Sequence, residues 1–493
     1  MSSVKWKRPE LIAVEPIYRM INDCIDGELA VKDKGTVYLP MPCSDDLSHE
    51  NKLRYEAYKN RAVFYNVTER TLNGLVGEIF SREPVTEVPT EMDTVVEDVN
   101  GENVNLIQSS KRACEIVLST GRCGLFVDYP VVEDGASVYD IKEGRIRPTL
   151  TIYEPLKIIN WRTRLKGAEN LISLVVLEEL EEIYEDDFER KTNIQYRVLR
   201  LGPSRDNPFF DSETDKDIYT VEIYRMDGSK FLIAESYQPA NFSGAKMTEI
   251  PFVFIGSENN DTKIDSAPLY SLAALNIHHY MNSADYEESC YITGQPTPWA
   301  TGLTQEWIDK VLNGRIALGS RGGIPLPPES SVGILQAEPN SMPFEAMTHK
   351  ERQMAALGAR IVEQSVVQRT ATEASLESNV ENSILSTVAK NVSDAYTSAL
   401  NMASNFIGKL QESKYELNSD FDLANMTEAE RRQIILDWQA GAISRTEMRM
   451  NYKYSGMKLL EDAVALQEIE SEKDAEIDRQ LKISGANQKT KGE

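Results

Sequence analysis

The sequence contains few cysteines, and none of them is paired by spacing. Its 493 residues include five, Cys24, Cys43, Cys114, Cys123 and Cys290, and no C-x-x-C motif occurs. A zinc knuckle and a redox-active cysteine pair both need closely spaced cysteines. We therefore predict neither, and expect free thiols in a reducing compartment.

Long apolar runs are also missing. The apolar stretch Leu171–Leu177 stops at Glu178, far short of the length that a membrane-spanning helix requires. Lys5, Lys7 and Arg8 lie near the N-terminus, but no apolar core of the signal-peptide type follows them. We expect a protein that is cytosolic when synthesised and has no membrane partner.

Positive charge is scarce. The chain has 53 Lys and Arg against 78 Asp and Glu, a formal net charge of -25. Proteins whose whole surface grips nucleic acid are basic, so the composition argues against that class. It is compatible with a wall past which DNA slides, because acidic surfaces repel phosphate. Acidity that serves only solubility explains the same composition.

Catalytic motifs are absent as well. The sequence lacks GxxxxGK[ST], HExxH and GxSxG, which argues against a phosphate-binding ATPase loop, a zinc protease and a hydrolase elbow. Neighbouring His278 and His279 would point about 100° apart on a helix and could not share a metal ion. The acidic run 178–189 lacks ordered ligand spacing and is interpreted as a solvated or channel-facing surface. We predict no catalytic residue, metal or cofactor.

The composition predicts a large folded chain of class α+β, mainly helical. Apolar residues make up 41% and charged residues 27%, and the length suggests two to four substructures. Apolar periodicity predicts helices over residues 16–24, 50–80, 104–120, 268–292, 305–313, 344–367 and 370–410, and in most of the last 80 residues. Thr370-x-x-Glu373 is a capping box for the helix over 370–410, which would be roughly 55–60 Å long.

Strands are predicted mainly in the middle of the chain. Their expected positions are 125–129, 150–153, 158–161, 171–177, 195–201, 219–225, 231–235, 316–318 and 332–335. Met226-Asp227-Gly228-Ser229 is typical of a hairpin turn between two of them. Residues 178–255 are therefore expected to be mostly β.

Several blocks of sequence resemble portal proteins of tailed bacteriophages. They are Tyr58–Arg82, Ile250–Gly256, Pro268–Glu288, Ile292–Pro296, Glu351–Arg360 and Arg369–Ala374. No single block is diagnostic, but their order and spacing match the family over residues 50–410. The resemblance implies a ring, normally of twelve subunits, with wing, stem, clip and crown around a central channel.

The family architecture divides this chain into nine segments. They are an N-terminal arm (1–50), a wing (51–177), a β-rich stem and clip region (178–266), a stem helix (267–295), an α/β wing (296–336), a tunnel loop (337–344), long wing helices (345–412), a helical crown (413–483) and a disordered tail (484–493). The tunnel loop would place Glu338, Asn340, Ser341 and Met342 nearest DNA. Channel-proximal cations would be Lys350 and Arg352, and the stem helix would carry Tyr270, Asn276, Tyr280 and Asp285.

What the resemblance implies for function is structural. A portal subunit lies at a capsid vertex of the virion after assembly in the host cytoplasm, and double-stranded DNA passes through its ring without sequence-specific contacts. Its partners would be identical copies, terminase, the head-to-tail adaptor and the major capsid protein. The main alternative is another head-completion or tail protein. A nuclease that holds a metal ion in the acidic run, through Glu181 and Asp186, is a third hypothesis.

Overall fold

The structure is a computed structural model in which the chain divides into two compact units, Met1–Ser419 and Asp420–Glu493. It describes residues 4–129, 146–184, 188–212, 214–241, 243–295, 297–310, 326–335, 341–362, 383–408, 412–419, 421, 428–439, 444 and 448. The predicted strand at 316–318 and the predicted tail at 484–493 lie outside these residues.

The α-helices of the described residues are distributed along both units. They are α1 (Pro9–Asp26), α2 (Glu28–Asp33), α3 (His49–Arg61), α4 (Val67–Ile79), α5 (Asp93–Glu97), α6 (Leu106–Thr120), α7 (Tyr270–Gly294), α8 (Gln305–Lys310), α9 (Met342–Val362), α10 (Ile384–Ile407) and α11 (Glu428–Gln439). Short 3₁₀ turns occur at Gly35–Val37, Thr90–Met92 and Pro155–Lys157.

The strands pair only in antiparallel fashion within the described residues. They are β1 (Val85–Glu87), β2 (Arg122–Asp128), β3 (Thr149–Tyr153), β4 (Ile158–Lys166), β5 (Glu169–Tyr184), β6 (Arg190–Leu201), β7 (Tyr219–Asp227), β8 (Lys230–Tyr237), β9 (Phe252–Gly256), β10 (Thr297–Thr301), β11 (Ser331–Leu335) and β12 (Lys414–Glu416). Their sheets have the orders β4-β5-β6-β7-β8, β3-β2-β9, β10-β11 and β1-β12. The predicted α+β class is confirmed.

Helix α10 lies at the centre of the first unit. It contacts α6, β2, β9 and β12. Its buried stripe follows helical spacing and comprises Leu385, Val388, Ala389, Val392, Ala395, Tyr396, Ala399, Leu400, Ala403 and Phe406. The hydroxyl of Tyr396 lies 2.7 Å from Ser109 Oγ of α6. The buried hydroxyl groups of Tyr396 and Ser109 therefore satisfy one another.

The N-terminal arm is helical and packed, so the predicted extended arm with one short helix is wrong for residues 9–33. Pro9 occupies the first turn of α1, where a missing N–H is not needed. Pro16 stays inside the helix on an exposed position. The buried stripe of α1, namely Leu11, Tyr18, Ile21 and Cys24, outweighs the lost hydrogen bond.

Two further helix predictions are corrected at their boundaries. Residues 50–80 form two helices, because α3 ends at Arg61 and the Asn66 side chain caps α4 by accepting from Glu69 N at 3.1 Å. Residues 370–410 are not one continuous helix. Ser383 is extended and caps α10 by accepting from Ser386 N at 3.1 Å. Helix α10 is therefore about 36 Å long, and Thr370 and Glu373 lie outside the described residues.

Strand β5 crosses the predicted boundary between residues 177 and 178. The strand continues through the acidic run because cross-strand cations accompany its carboxylates. The pairs are Glu178 with Lys157 at 2.9 Å, Glu179 with Arg197 at 2.7 Å, Glu181 with Arg225 at 2.7 Å and Glu182 with Arg190 at 2.8 Å. Asp186 lies outside the described residues.

The first residues of the predicted crown, which begins at 413, pack against the first unit. Strand β12 pairs with β1, and buried Tyr415 places its hydroxyl 2.6 Å from Ser110 Oγ of α6. Residues 414–416 therefore belong to the first unit. In the second unit the described residues include helix α11 and a hydrogen bond from Met448 N to Ser444 O at 3.0 Å.

A charged cluster joins the five-stranded sheet to the three-stranded one. Arg197 of β6 donates to Glu179 at 2.7 Å, to Tyr237 at 3.0 Å and to Asp128 of β2 at 3.3 Å. Tyr153 of β3 donates to the same Glu179 at 2.5 Å. Burial raises the pKa of Asp128, and the Arg197 guanidinium partly opposes that shift. Two carboxylates share one guanidinium, so that single cation holds both anions in place.

The start of α1 is attached to the same region through Trp161 of β4. The guanidinium carbons of Arg8 and Arg122 lie 4.6 and 4.2 Å from the centre of a Trp161 ring. Arg122 also lies 4.1 Å from the Phe254 ring. Burial lowers the pKa of Arg122 to about 10, against opposing contributions from Tyr18 and Asp265. Cation–π contacts of this kind contribute about 0.5–2 kcal/mol each.

Replacing Arg197 by Met should destabilise the first unit by about 3–5 kcal/mol, because two partly buried carboxylates lose their cation. Urea unfolding followed by circular dichroism measures the change. Arg190→Met removes an exposed partner of Glu182 from the same strand pair and should cost under about 1 kcal/mol. Equal effects of the two substitutions would contradict a structural role for the cluster.

Candidate functional site

Helices α7 and α9 form a long antiparallel pair that contains most of the sequence-predicted site residues. His279 of α7 meets Glu351 of α9, with 3.3 Å between Nε2 and Oε1. One to two turns further along α7, the Tyr286 ring lies 5.8 Å from the Phe344 ring. These two contacts set the register of the pair. The ribbon β10–β11 lies in the chain between the two helices.

The inner half of α7 is attached to the extended segment 62–66 by side chains that bind backbone. Asn276 Oδ1 accepts from the N–H groups of Val67 and Thr68, both at 3.2 Å, and its amide donates to Tyr65 O at 2.9 Å. Seven residues later, Ser283 Oγ accepts from Val63 N at 2.8 Å and donates to Val63 O at 2.7 Å. Asn276 thus caps the start of α4 from another helix.

A charged contact continues this attachment towards the exposed end of α7. Tyr58 of α3 donates to Asp285 at 2.6 Å. Arg61 forms an ion pair with Glu288, and its guanidinium carbon lies 4.2 Å from the Tyr291 ring centre. Burial raises the pKa of Tyr58, and the Asp285 carboxylate raises it further. Polar contacts with α3 therefore extend to the last turns of α7.

His279 is buried between the two helices. A carboxylate only accepts hydrogen bonds, so the neutral imidazole carries its proton on Nε2 towards Glu351. Its Nδ1 is buried without a hydrogen-bond partner in the part of the chain that the structure describes. Burial lowers the pKa of His279 below its ordinary 6.5, and Glu351 partly offsets that shift. Protonation would place a second N–H donor where nothing accepts it.

The outer end of the pair exposes large apolar side chains. On α7 the exposed fractions of Tyr291 and Ile292 are 46% and 47%. On the ribbon, exposed fractions are 44% for Trp299, 45% for Val332, 58% for Ile334 and 68% for Leu335. Residues 289–305 and 330–337 contain no charged residue, in a chain where 27% are charged. This surface is suited to apolar contact with another protein surface.

The predicted site residues do not gather at one surface. Tyr280 and Asn276 are buried, and the Tyr280 ring packs edge-on against Phe64 at 6.0 Å, whereas Tyr270 is 43% exposed. On α9, Lys350 is half-buried and Arg352 is exposed. Asp285 binds Tyr58. Of the predicted tunnel loop, Glu338 and Asn340 lie outside the described residues.

Ser341 and Met342 stand at the start of α9. The Ser341 carbonyl accepts from Glu345 N at 3.0 Å, and its hydroxyl donates to Glu345 Oε1 at 3.0 Å. Met342 is the first helical residue and is 73% exposed. These two residues therefore begin a helix, and their predicted role next to DNA stays a prediction.

Ser283, Glu288 and the strand β10 were not predicted from the sequence, whereas the strand at 332–335 was predicted and corresponds to β11. Asn276 and Ser283 are seven residues apart, which places two small polar side chains on one helix face. That spacing is a signal for a polar contact along the helix. The exposed ribbon has a second signal, the absence of charge around Trp299. In the described part of the chain, no group of three or more His, Cys, Asp or Glu residues could hold a metal ion. No described helix is long and apolar enough to cross a membrane.

Comparison with known proteins gives matches of two kinds. Residues 268–407, from α7 to the end of α10, match a family described as a domain of unknown function, DUF4055. No curated protein matches the chain significantly. Solved structures similar to the chain include parts of gene transfer agent particles.

The first of these structures is described as the virion of a native gene transfer agent particle. Its TM-score is 0.40 at 13% identity, over 82% of this chain and 93% of that one. A neck of an empty particle, computed with C6 symmetry, has a TM-score of 0.40 at 15% identity over 80% and 91%. A neck of a native particle, computed with C12 symmetry, has a TM-score of 0.38 at 12% identity. The match covers 78% of this chain and 88% of that one. A resemblance this distant carries no functional argument.

Replacing Asn276 by Ala should destabilise the first unit by about 1–3 kcal/mol, because the first N–H groups of α4 and the Tyr65 carbonyl lose their partner. Chemical unfolding measures the loss. Asn282→Ala, at a half-buried position of the same helix, should change stability by under about 0.5 kcal/mol. A cap role for Asn276 is excluded if the two variants are equally stable.

Stability should fall on acidification through His279. Its folded pKa is below the unfolded value, so the stabilising contribution is complete above pH 6.5 and is lost as the pH falls towards the folded pKa. The maximum slope is about 1.4 kcal/mol per pH unit for one proton. Glu351, Lys350 and Tyr65 face this group.

The measurement is urea unfolding between pH 8 and about pH 5.5 in wild type, His279→Gln and His278→Gln. The His279 variant should show a shallower decline than wild type. The exposed neighbour His278 is the matched control and should leave the slope unchanged. Parallel slopes in all three proteins would show that His279 is not the titrating group.

Proposed function

We propose that this chain is a structural subunit of the neck of a tailed-phage-like particle. In this role it is one copy of a portal ring, normally of twelve, through which double-stranded DNA enters and leaves the capsid. The observation that carries the proposal is the α7–α9 pair, which is anchored to segment 62–66 and to α3 and leads to the exposed, uncharged ribbon β10–β11. The sequence blocks that resemble portal proteins include α7 and part of α9.

Subunit contact is the first requirement of a ring. A chain with a net charge of -25 repels its copies unless they meet over surfaces that carry little charge. The ribbon β10–β11 is such a surface, because residues 289–305 and 330–337 contain no charged residue. Burying its apolar side chains between neighbours would provide the association free energy.

The second requirement is weak contact with DNA. Neutralising many phosphates binds DNA tightly, and tight binding would stall a translocating duplex. The acidic composition supports sliding rather than gripping. In this proposal α7 is the stem helix, α9 is the first of the long wing helices and packs against it, and the part of the five-stranded sheet after residue 177 belongs to the stem and clip region.

The proposed role is not catalytic. The buried polar groups around α7 and at the sheet junction have packing tasks: Asn276 caps α4, and Arg197 holds two carboxylates. In this proposal, other proteins of the particle would carry out any catalysis and would attach the ring to the capsid and to the tail. We propose terminase, the head-to-tail adaptor and the major capsid protein as partners, and location at the portal vertex of the virion after assembly in host cytoplasm.

A second candidate is another head-completion or tail component. The uncharged outer surface would serve that role too, because tail proteins also associate with their own copies. The two candidates differ in how the assembly closes. A portal forms one closed ring, whereas a tail component stacks into a tube.

Electron microscopy of the purified full-length chain tests the proposal, with top views averaged without imposed symmetry. We expect closed rings with a central hole. Light scattering should give about 670 kDa if twelve chains close the ring. Stacked tubes would favour the tail component, and a monomer at every salt concentration would refute the portal role.

A further inference from the structure

Arg122 is a buried cation whose hydrogen-bonding groups have no protein partner. It begins β2, and its exposed fraction is 3%. None of its three guanidinium nitrogens, Nε, Nη1 and Nη2, has a hydrogen-bond partner among the described residues. A guanidinium carries five N–H donors and no acceptor. Because buried donors are nearly always satisfied in folded proteins, these donors indicate an acceptor that does not come from the described residues.

Two aromatic rings line the surroundings of this guanidinium. Its carbon lies 4.2 Å from the centre of a Trp161 ring and 4.1 Å from the centre of the Phe254 ring. The rings attract the positive charge, but an aromatic face is a much weaker hydrogen-bond acceptor than an oxygen or an anion. The contacts with Trp161 and Phe254 therefore hold Arg122 in place without supplying the acceptor that its N–H groups need.

The carboxylates that act on Arg122 do so from a distance. Burial lowers the pKa of Arg122 to about 10, and Tyr18, Asp265 and Asp261 oppose that shift. Asp265 Oδ2 accepts from two backbone N–H groups of its own loop, at 2.9 and 3.4 Å. No carboxylate of the described residues forms an ion pair with Arg122. With a pKa of about 10 the group is charged at neutral pH, so its charge is not neutralised by contact.

A second unsatisfied donor lies near this cation. The hydroxyl of Tyr18, on α1, is buried and has no hydrogen-bond partner in the described part of the chain. Burial raises the pKa of Tyr18 to about 12, and the charge of Arg122 opposes the rise. The two groups are therefore close enough to interact, although neither donates a hydrogen bond to the other. One acceptor placed between them would satisfy both.

Charge and size define the chemistry of that acceptor. A buried cation without a counterion is costly, and contact with an opposite charge removes much of the cost. One guanidinium neutralises one negative charge, so a monoanion fits, whereas a phosphate or sulfate dianion would leave a buried negative charge. Arg122 and Tyr18 are only 3% and 2% exposed, which favours a small ion. Chloride is a small monoanion that accepts hydrogen bonds from any direction.

We propose that Arg122 and Tyr18 bind one small monovalent anion, for which chloride is the probe. The ion would accept hydrogen bonds from the guanidinium and from the Tyr18 hydroxyl, and would connect α1 to the start of β2. It would act as the counterion that no carboxylate of the described residues provides. This inference does not rest on the proposed function, because both residues belong to one subunit and the site requires no ring.

The test compares chemical unfolding of the full-length chain in sodium chloride and in sodium gluconate, at equal ionic strength and protein concentration. Gluconate is a monoanion too large for an enclosed site. Above the dissociation constant, one bound ion lowers the unfolding equilibrium constant about tenfold for each tenfold rise in chloride. Gluconate should produce no such dependence. Equal responses of the wild-type chain to the two salts would overturn the proposed site.

Arg122→Met keeps an apolar side chain against the two rings and should abolish the chloride dependence. In gluconate this variant should be at least as stable as wild type, because an unpaired buried cation has been removed. Arg8→Met is the matched control. Arg8 lies 4.6 Å from a Trp161 ring centre but donates to Trp161 O at 3.0 Å and pairs with Glu10, so its variant should keep the full chloride dependence. A chloride dependence that persists in Arg122→Met would place the ion elsewhere and overturn the proposal.

Two further substitutions distinguish a bound anion from buried water. Tyr18→Phe removes one donor and should raise the chloride concentration at half effect by about three- to tenfold. Asp265→Asn removes a nearby negative charge and should lower that concentration. If water joined Arg122 to Asp265 instead, Asp265→Asn would lose the same stability in chloride and in gluconate. That result would overturn the anion site.

Bromide locates the ion directly, because it gives an anomalous diffraction signal that chloride lacks at the same wavelength. Crystals of the full-length chain grown in sodium bromide should show an anomalous peak next to Arg122 and Tyr18. Crystals of Arg8→Met should show the same peak. The absence of a peak at this position in wild-type crystals, at bromide concentrations that saturate the unfolding effect, would overturn the proposal.

Discussion

The extended segment 62–66 is the constraint on which the positions of α4, α7 and α9 depend. An extended chain inside a protein exposes backbone N–H and C=O groups that no helix ladder satisfies. Here α7 satisfies them with Asn276 and Ser283, two side chains seven residues apart. That arrangement fixes both the start of α4 and the rotation of α7 about its axis. The position of α9 follows, because its contacts with His279 and Tyr286 lie on α7.

The charged side chains of the sheets are likewise held by specific partners. At the sheet junction, one guanidinium holds the carboxylates of Glu179 and Asp128 between two sheets. Along β5, acidic residues stay in a strand because cations stand across from them. The ribbon β10–β11 is the opposite case, since it has no charges and little cover.

Local sequence patterns predicted where helices and strands occur better than they predicted the residues at which these begin and end. Helical periodicity identified α6, α7 and most of α9, and alternation identified β6, β7 and β8. The same periodicity joined α3 and α4 into one helix, because apolar spacing continues across a break that Asn66 and Ser283 create. The signal for that break was available, since Asn66-x-x-Glu69 matches a capping pattern.

The candidate site was less predictable, because its contacts join distant parts of the chain. The family resemblance selected Asn276 and Tyr280 on α7, but their partners Thr68 and Phe64 lie more than 200 positions away. Nothing local to α7 indicates that both side chains turn inward. The prolines near the N-terminus led to a prediction of too little helix for α1. The packing that buries Tyr18 and its neighbours keeps Pro16 within the helix, and sequence spacing alone does not reveal that packing.

The stack of Trp161 with Arg8 and Arg122 has an optical consequence. Of the five tryptophans, Trp161 is buried at 4% exposure, whereas Trp6, Trp299 and Trp438 are 39–48% exposed. Indole emission depends on solvent and on nearby charge, so Trp161 gives a signal from the protein interior that solutes in the solvent cannot reach. Trp6, Trp299 and Trp438 give signals that such solutes quench. The chain therefore contains separate fluorescent reporters of its interior and of its surface, without any added label.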